Sequence, residues 1–129
     1  MEEKKKYRLL IIEDNKEMRS LLKDFFEEEG FEVDSVDDGA GAFPKLAQTS
    51  FDLIITDIWM AGLSGLDILP AMKRINPNIP VIVITAFGSE EMRRRVMARG
   101  ADAYLEKPLQ LEKLKNLTQQ MILSRKIES

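Results

Sequence analysis

Cysteine is absent from the 129-residue chain, and so is histidine. Without cysteine there is no disulfide framework and no thiol chemistry, which fits a reducing cytoplasm. Without histidine there is no imidazole to act as general base, metal ligand or phosphate carrier, so any histidine the chemistry needs must come from another molecule. A chain with neither residue also lacks the usual zinc ligands. Long hydrophobic runs are missing too. The longest are about strand length, far short of the roughly 20 residues of a membrane span. The basic "KKK" at 4–6 precedes Leu9-Leu10-Ile11-Ile12, a run too short for a signal-peptide core. Charge of one sign is scarce: 19 basic against 22 acidic residues give −3, so no general nucleic-acid affinity follows.

What is present suits one domain with a sizeable core. Apolar residues make up 44% and charged residues 32%, ordinary values for a globular protein. Residues 1–6 read as a frayed basic tail, 7–125 as a single domain and 126–129 as a second tail. Apolar β-type runs alternate with helical patterns. Strands are expected at 7–12, 31–36, 51–56, 80–85 and 102–106. Helices are expected over 18–30, 40–48, 64–75, 89–100 and 110–125, with Gly30 ending the first and Ser89 capping the fourth. In the first helix Met18, Leu21, Leu22 and Phe25 form the apolar stripe. Adjacent Phe26 falls off it, leaving part of that helix exposed for a partner to dock. Pro44 conflicts with the second helix, which should start late or be distorted, because an internal proline costs about 3 kcal/mol. Five strand–helix units imply an α/β fold, a parallel sheet with helices on both faces.

In such sheets ligands bind beyond the carboxyl ends of the strands. The first strand ends in Glu13-Asp14, the second in Asp37-Asp38, the third in Asp57, the fourth in Thr85-Ala86 and the fifth in Glu106-Lys107-Pro108. Asp57, at the end of the buried run "FDLIIT", could be a cap, a turn residue, a metal ligand or a nucleophile. Two carboxylates about 5 Å apart repel by roughly 3 kcal/mol, so three at one edge need compensation. A divalent cation is the simplest, and oxygen ligands favour Mg²⁺ or Ca²⁺. Lys107 and Thr85 add an ammonium and a hydroxyl, groups that bind phosphoryl oxygens. Beside them Asp57 reads as a nucleophile able to carry an acyl phosphate.

These residues together resemble the receiver domain of two-component response regulators, over roughly residues 7–125. The resemblance rests on Glu13-Asp14, "DIWM…G" from Asp57 through Met60 to Gly65, "TA" at 85–86, Tyr104, and "KP" at 107–108. It implies a three-layer α/β/α doubly wound, flavodoxin-like sandwich with strand order 2-1-3-4-5. It implies that Asp57 is the phosphoacceptor for a sensor histidine kinase. Mg²⁺ would be held by Glu13, Asp14, Asp57 and the backbone carbonyl of Trp59. Lys107 would contact the phosphoryl group, its bond to Pro108 would be cis, and small Ala86 would leave the phosphate room. Thr85 would move to bond the phosphoryl group and Tyr104 would follow inward, changing the face of the fourth helix, fifth strand and fifth helix. Two features depart from the family pattern: Ala61 stands where proline usually follows the methionine, and Glu13 replaces the commoner aspartate. Bulky Trp59 and Phe87 would shield the acyl phosphate from water.

The expected activity is a switch with autophosphotransfer and autodephosphorylation only, not an enzyme on a separate substrate. The expected partners are the kinase, a possible second copy through the switching face and a possible C-terminal output domain, with no nucleic acid or membrane contacted directly. A receiver-like module that is never phosphorylated, or a small hydrolase, is the alternative. "GAGAFP" at 39–44 lacks the third glycine of a nucleotide loop, Asp57-Ile58-Trp59 lacks the second acid of the aspartyl phosphatases, and Arg93-Arg94-Arg95 reads as a solvated helix face with partner contact as its rival.

Overall fold

The computed structural model describes residues 6–58 and 65–128, with side chains to Arg125. Along the chain these run β1 (Arg8–Ile12), α1 (Lys16–Glu28), β2 (Glu32–Val36), α2 (Gly39–Gln48), β3 (Leu53–Asp57), α3 (Gly65–Ile75), β4 (Val81–Thr85), α4 (Glu90–Ala98), β5 (Ala103–Glu106) and α5 (Leu111–Glu128). The strands form one five-stranded sheet in the order β2-β1-β3-β4-β5. All four pairings are parallel. The fold is the doubly wound sandwich expected from the sequence, with boundaries displaced by one to three residues.

Strand alternation divides the core in two. Leu10, Ile12, Ile54, Val81 and Val83 face α2, α3 and α4, meeting Ala42, Leu69, Met72 and Val96. Leu9, Ile11, Leu53, Ile55, Ile82 and Ile84 face α1 and α5, meeting Leu22, Phe26, Leu114 and Ile122. Both faces of β1, β3 and β4 are thus covered, which is why those strands are apolar throughout. Each fully buried Leu, Ile or Phe contributes about 1.5–3 kcal/mol.

Helix α1 differs from expectation. It begins at Lys16, because Asn15 caps it: its Oδ1 accepts from Met18 N at 2.8 Å. Phe26 is fully buried and Leu21 is 49% exposed, so the stripe facing the sheet contains Phe26 and omits Leu21. The reason is the 3.6-residue period, which sets Phe26 one turn beyond Leu22 on the same face. Phe26 then stacks edge-on against Phe25 and Phe31, with centroids 5.2 and 5.5 Å away. Gly30 and Gly100, with φ of 97° and 111°, follow the ends of α1 and α4 in the left-handed region that glycine adopts freely.

Two helices carry an internal proline, Pro44 in α2 and Pro70 in α3. Helix α2 does not start late: Asp38 caps it, accepting from Gly41 N at 2.9 Å, and Pro44 is its sixth residue. Proline at 44 leaves the Ala40 carbonyl without its helical donor, a loss eased because Ala40 and Pro44 are both exposed to water. In α3 the carbonyl deprived by Pro70 belongs to Leu66. It accepts instead from Arg99 Nη1, at 3.0 Å, reaching over from the end of α4. Among the described residues no helix is long and apolar enough to cross a membrane.

Candidate functional site

Parallel strands bring their carboxyl ends to one edge, and there β1, β3 and β5 deliver their acids and lysine. Glu13 follows β1 directly, is fully buried, and its N–H donates to Val36 O at 3.1 Å. Asp57 is the last residue of β3, in register with Ile84 of β4 and 4% exposed. Asp14 is exposed at the mouth. Oxygens of Glu13, Asp14 and Asp57 lie within 4.8 Å of one another. Lys107, just after β5, bridges two of them, with Nζ 2.7 Å from Glu13 Oε1 and 2.7 Å from Asp57 Oδ2. The Lys107–Pro108 peptide bond is cis.

Backbone contacts fix these positions. Lys107 N–H donates to Thr85 O at 2.8 Å, tying the end of β5 to the end of β4. Glu13 Oε2 accepts from Asn15 N at 3.2 Å. Arg19 Nη1, from the first turns of α1, donates to Glu13 O at 2.8 Å. Gly65 N–H donates to Ile58 O at 2.9 Å. A side chain at 65 is impossible without rearrangement, since a Cβ would lie 2.5 Å from Asp57 O and 2.9 Å from Ile58 Cα.

Electrostatics follow from burial. Burial pushes the Glu13 carboxyl above its usual range, and the nearby Asp57 charge adds to this while the Lys107 hydrogen bond opposes it. For Lys107 burial acts downward, yet hydrogen bonds to Asp57 and Glu13 and their charges outweigh it, so its affinity for its proton is raised. With all four groups charged, three negatives and one positive leave a net of two negatives. That remainder matches a divalent cation. The donors are all oxygen, the set that suits Mg²⁺ or Ca²⁺. Glu13, Asp14 and Asp57 are the residues that would hold such an ion, one oxygen of each lying within 4.8 Å of the others.

The remaining residues singled out from the sequence surround this cluster. Thr85 is buried, and its Oγ1 accepts from Phe87 N at 3.1 Å. Ala86 is exposed beside the mouth, and Phe87 is 76% exposed. Tyr104 is half-buried, and its hydroxyl accepts from Ser89 N at 3.1 Å. The Trp59 carbonyl and the Met60-Ala61 departure lie outside the described residues. Sequence reasoning missed Asn15 and Arg19. Asn15 carried a readable signal, an N-cap residue three before Met18; Arg19 acts through a contact that sequence spacing does not reveal.

The family model described as the response regulator receiver domain matches residues 9–119. The nitrogen assimilation regulatory protein NtrX of Azorhizobium caulinodans is 32% identical, over 88% of this chain and 26% of that protein. The transcriptional regulatory protein CpxR of Escherichia coli is 41% identical, over 78% of this chain and 43% of that protein. The chain thus spans about a quarter to a half of the curated relatives it matches. Among solved structures, a CheY-like receiver domain protein from Methanospirillum hungatei superposes with a TM-score of 0.93 at 25% identity, covering 97% of this chain and 100% of the other.

Proposed function

Because the chain belongs to the response regulator receiver domain family, we propose that it is a phosphorylation switch in which Asp57 accepts a phosphoryl group from a histidine kinase. The observation that carries this reading is Lys107 held between Glu13 and Asp57 at the same edge as Asp14. A nucleophile there has a cation at hand for the charge it receives. The chain itself has no histidine, so the donor imidazole comes from the partner.

In the transfer, an Asp57 carboxylate oxygen forms the new O–P bond as the P–N bond of the phosphohistidine breaks. The departing imidazole takes a proton from water. Lys107, already against Asp57, keeps its ammonium on the phosphoryl oxygens as they arrive. Exposed Ala86 offers no bulk against them. Glu13, Asp14 and Asp57 would hold a Mg²⁺ ion, which would supply further neutralisation of those oxygens. Thr85 releases Phe87 N–H and turns its hydroxyl to the phosphoryl group. Tyr104 responds to the space Thr85 vacates, altering the face of α4, β5 and α5. That face then acts on an output domain, a separate partner or a second copy. The acyl phosphate is lost by slow hydrolysis within the same pocket, with exposed Phe87 limiting access of water.

The test is intact-mass measurement after incubation with Mg²⁺ and a small phosphoramidate donor. One added phosphoryl group is expected, absent in Asp57→Asn. No gain in the unaltered chain overturns the reading in favour of a binding module. Steady phosphate release without accumulation overturns it in favour of turnover.

A further inference from the structure

Gly88 sits in the loop between β4 and α4, three residues after Thr85. Its φ is not in the left-handed region, where the described glycines are Gly30 and Gly100. Its φ therefore does not call for glycine, and the case for glycine at 88 is one of space. A Cβ at 88 would run into the Tyr104 hydroxyl, and would stand 2.5 Å from Glu106 Oε1 and 2.7 Å from Glu106 Cδ. Tyr104 and Glu106 are two apart on β5, so their side chains lie on the same face of the sheet. Both meet Gly88 with the far ends of their side chains. A methyl group at 88 therefore displaces those ends and leaves the backbone where it is.

What Tyr104 does in that space is specific. Its hydroxyl accepts from Ser89 N at 3.1 Å. Ser89 is the N-cap of α4, its Oγ accepting from Met92 N at 3.0 Å. A tyrosine on β5 is thus hooked to the residue that starts α4. Three residues before Gly88, Thr85 holds Phe87 N–H through Oγ1 and Lys107 N–H through its carbonyl. The short loop 85–89 is pinned at one end by Thr85 and at the other by Tyr104, with Gly88 as the empty space between.

We infer that Gly88 is a positioning residue for the output face: its missing side chain is what allows Tyr104 to engage the start of α4. A larger residue disengages Tyr104 from the start of α4 and displaces the end of the Glu106 side chain, while leaving the carboxylate pocket as it is. What the hook is used for rests on the phosphorylation reading above; its existence does not.

The experiment uses the full chain in a Tyr7→Phe background, which leaves Tyr104 as the only tyrosine, labelled as fluorotyrosine. Gly88→Ala is expected to move the Tyr104 fluorine resonance and increase its response to a soluble paramagnetic agent at least twofold, with an unchanged circular dichroism spectrum. An unmoved resonance refutes the inference. Folding is controlled by a second comparison: Gly88→Ala should lower Tm when Tyr104 is present and lower it by less than half as much with Tyr104→Ala. An equal loss in both backgrounds also refutes it. The second arm loads the protein with phosphoramidate and Mg²⁺. Gly88→Ala should gain the Asp57 phosphoryl group within about twofold of the normal rate, while the Ser89 amide signal no longer moves on loading. If that signal moves as in the unaltered protein, the positioning role is wrong. If the unaltered protein takes up no phosphoryl group, the phosphorylation reading fails, and the fluorine result still decides the hook.

Discussion

Lys107 is the residue on which the pocket's folded state depends. It stands 2.7 Å from both Glu13 and Asp57, two carboxylates with almost no exposure of their own. Removing one partner of a buried ion pair leaves the other uncompensated, at a cost of about 3–5 kcal/mol. Lys107→Met should accordingly lower the unfolding free energy in metal-free solution by about 3 kcal/mol, read from urea denaturation. The loss should depend on pH in a definite sense. Glu13 already binds its proton more tightly in the folded state than its ordinary value, and without the lysine it binds it more tightly still. A folded state that holds the extra proton loses stability as pH rises through the interval between the two values, so the deficit should be largest at neutral pH and shrink toward acid. Thr118 offers the opposite case. Its hydroxyl is fully buried on α5 and is the one buried side-chain polar atom among the described residues without a partner. Thr118→Val keeps the shape and removes the orphan, so stability should rise by about 1 kcal/mol. A fall of that size would show that the hydroxyl is satisfied in solution.

At the scale of elements, the joint between α3 and α4 is decided by one proline. Pro70 cannot donate to the Leu66 carbonyl, and Arg99 does so at 3.0 Å. Helix α3 follows directly on the segment after Asp57, so this contact ties α4 to the helix leading out of the pocket. Arg99→Ala should cost about 1 kcal/mol by leaving that carbonyl unpaired. In a Pro70→Ala background the helix supplies its own N–H, and the same change should cost less than half as much. An additive double-mutant cycle would show that Arg99 acts elsewhere. Strand and helix counts were legible in the sequence because burial on both faces makes strands apolar and amphipathic spacing marks helices; the order of strands in the sheet followed only from the family resemblance. The register of α1 was less so. Met18, Leu21, Leu22 and Phe25 satisfy the spacing rule, but the Leu22–Phe26 pair satisfies it equally, and only the sheet decides which leucine is covered. The consequences of Pro44 and Pro70 were not legible, because each depends on what faces the deprived carbonyl: water for Ala40, a guanidinium for Leu66. In the pocket Glu13, Asp14, Asp57 and Lys107 stood out as strand-end residues. Gly88 and Arg99 did not, since their partners lie on other elements.

At the scale of the molecule, the pocket belongs to no single element. Glu13 and Asp14 follow β1, Asp57 ends β3, Lys107 follows β5, and the oxygens converge only when the sheet is assembled. The unfolded chain has no such arrangement, so a cation that uses it binds the folded state and stabilises the whole fold. With the lysine in place, Glu13, Asp14, Asp57 and Lys107 still sum to two negatives, which is why a divalent ion should act where a monovalent one does not. At a Mg²⁺ concentration one hundred times its Kd the gain is about 2.7 kcal/mol, and a chain of this size should then melt about 8 °C higher, given roughly 3 °C per kcal/mol. Asp14→Asn, which removes an exposed ligand without opening the core, should abolish most of this rise, measured against the variant's own metal-free Tm. Sodium chloride at matched ionic strength separates coordination from general screening, which acts on exposed charges over about 10 Å. An equal rise with sodium, or a full rise in Asp14→Asn, would mean that the three carboxylates do not hold the ion together.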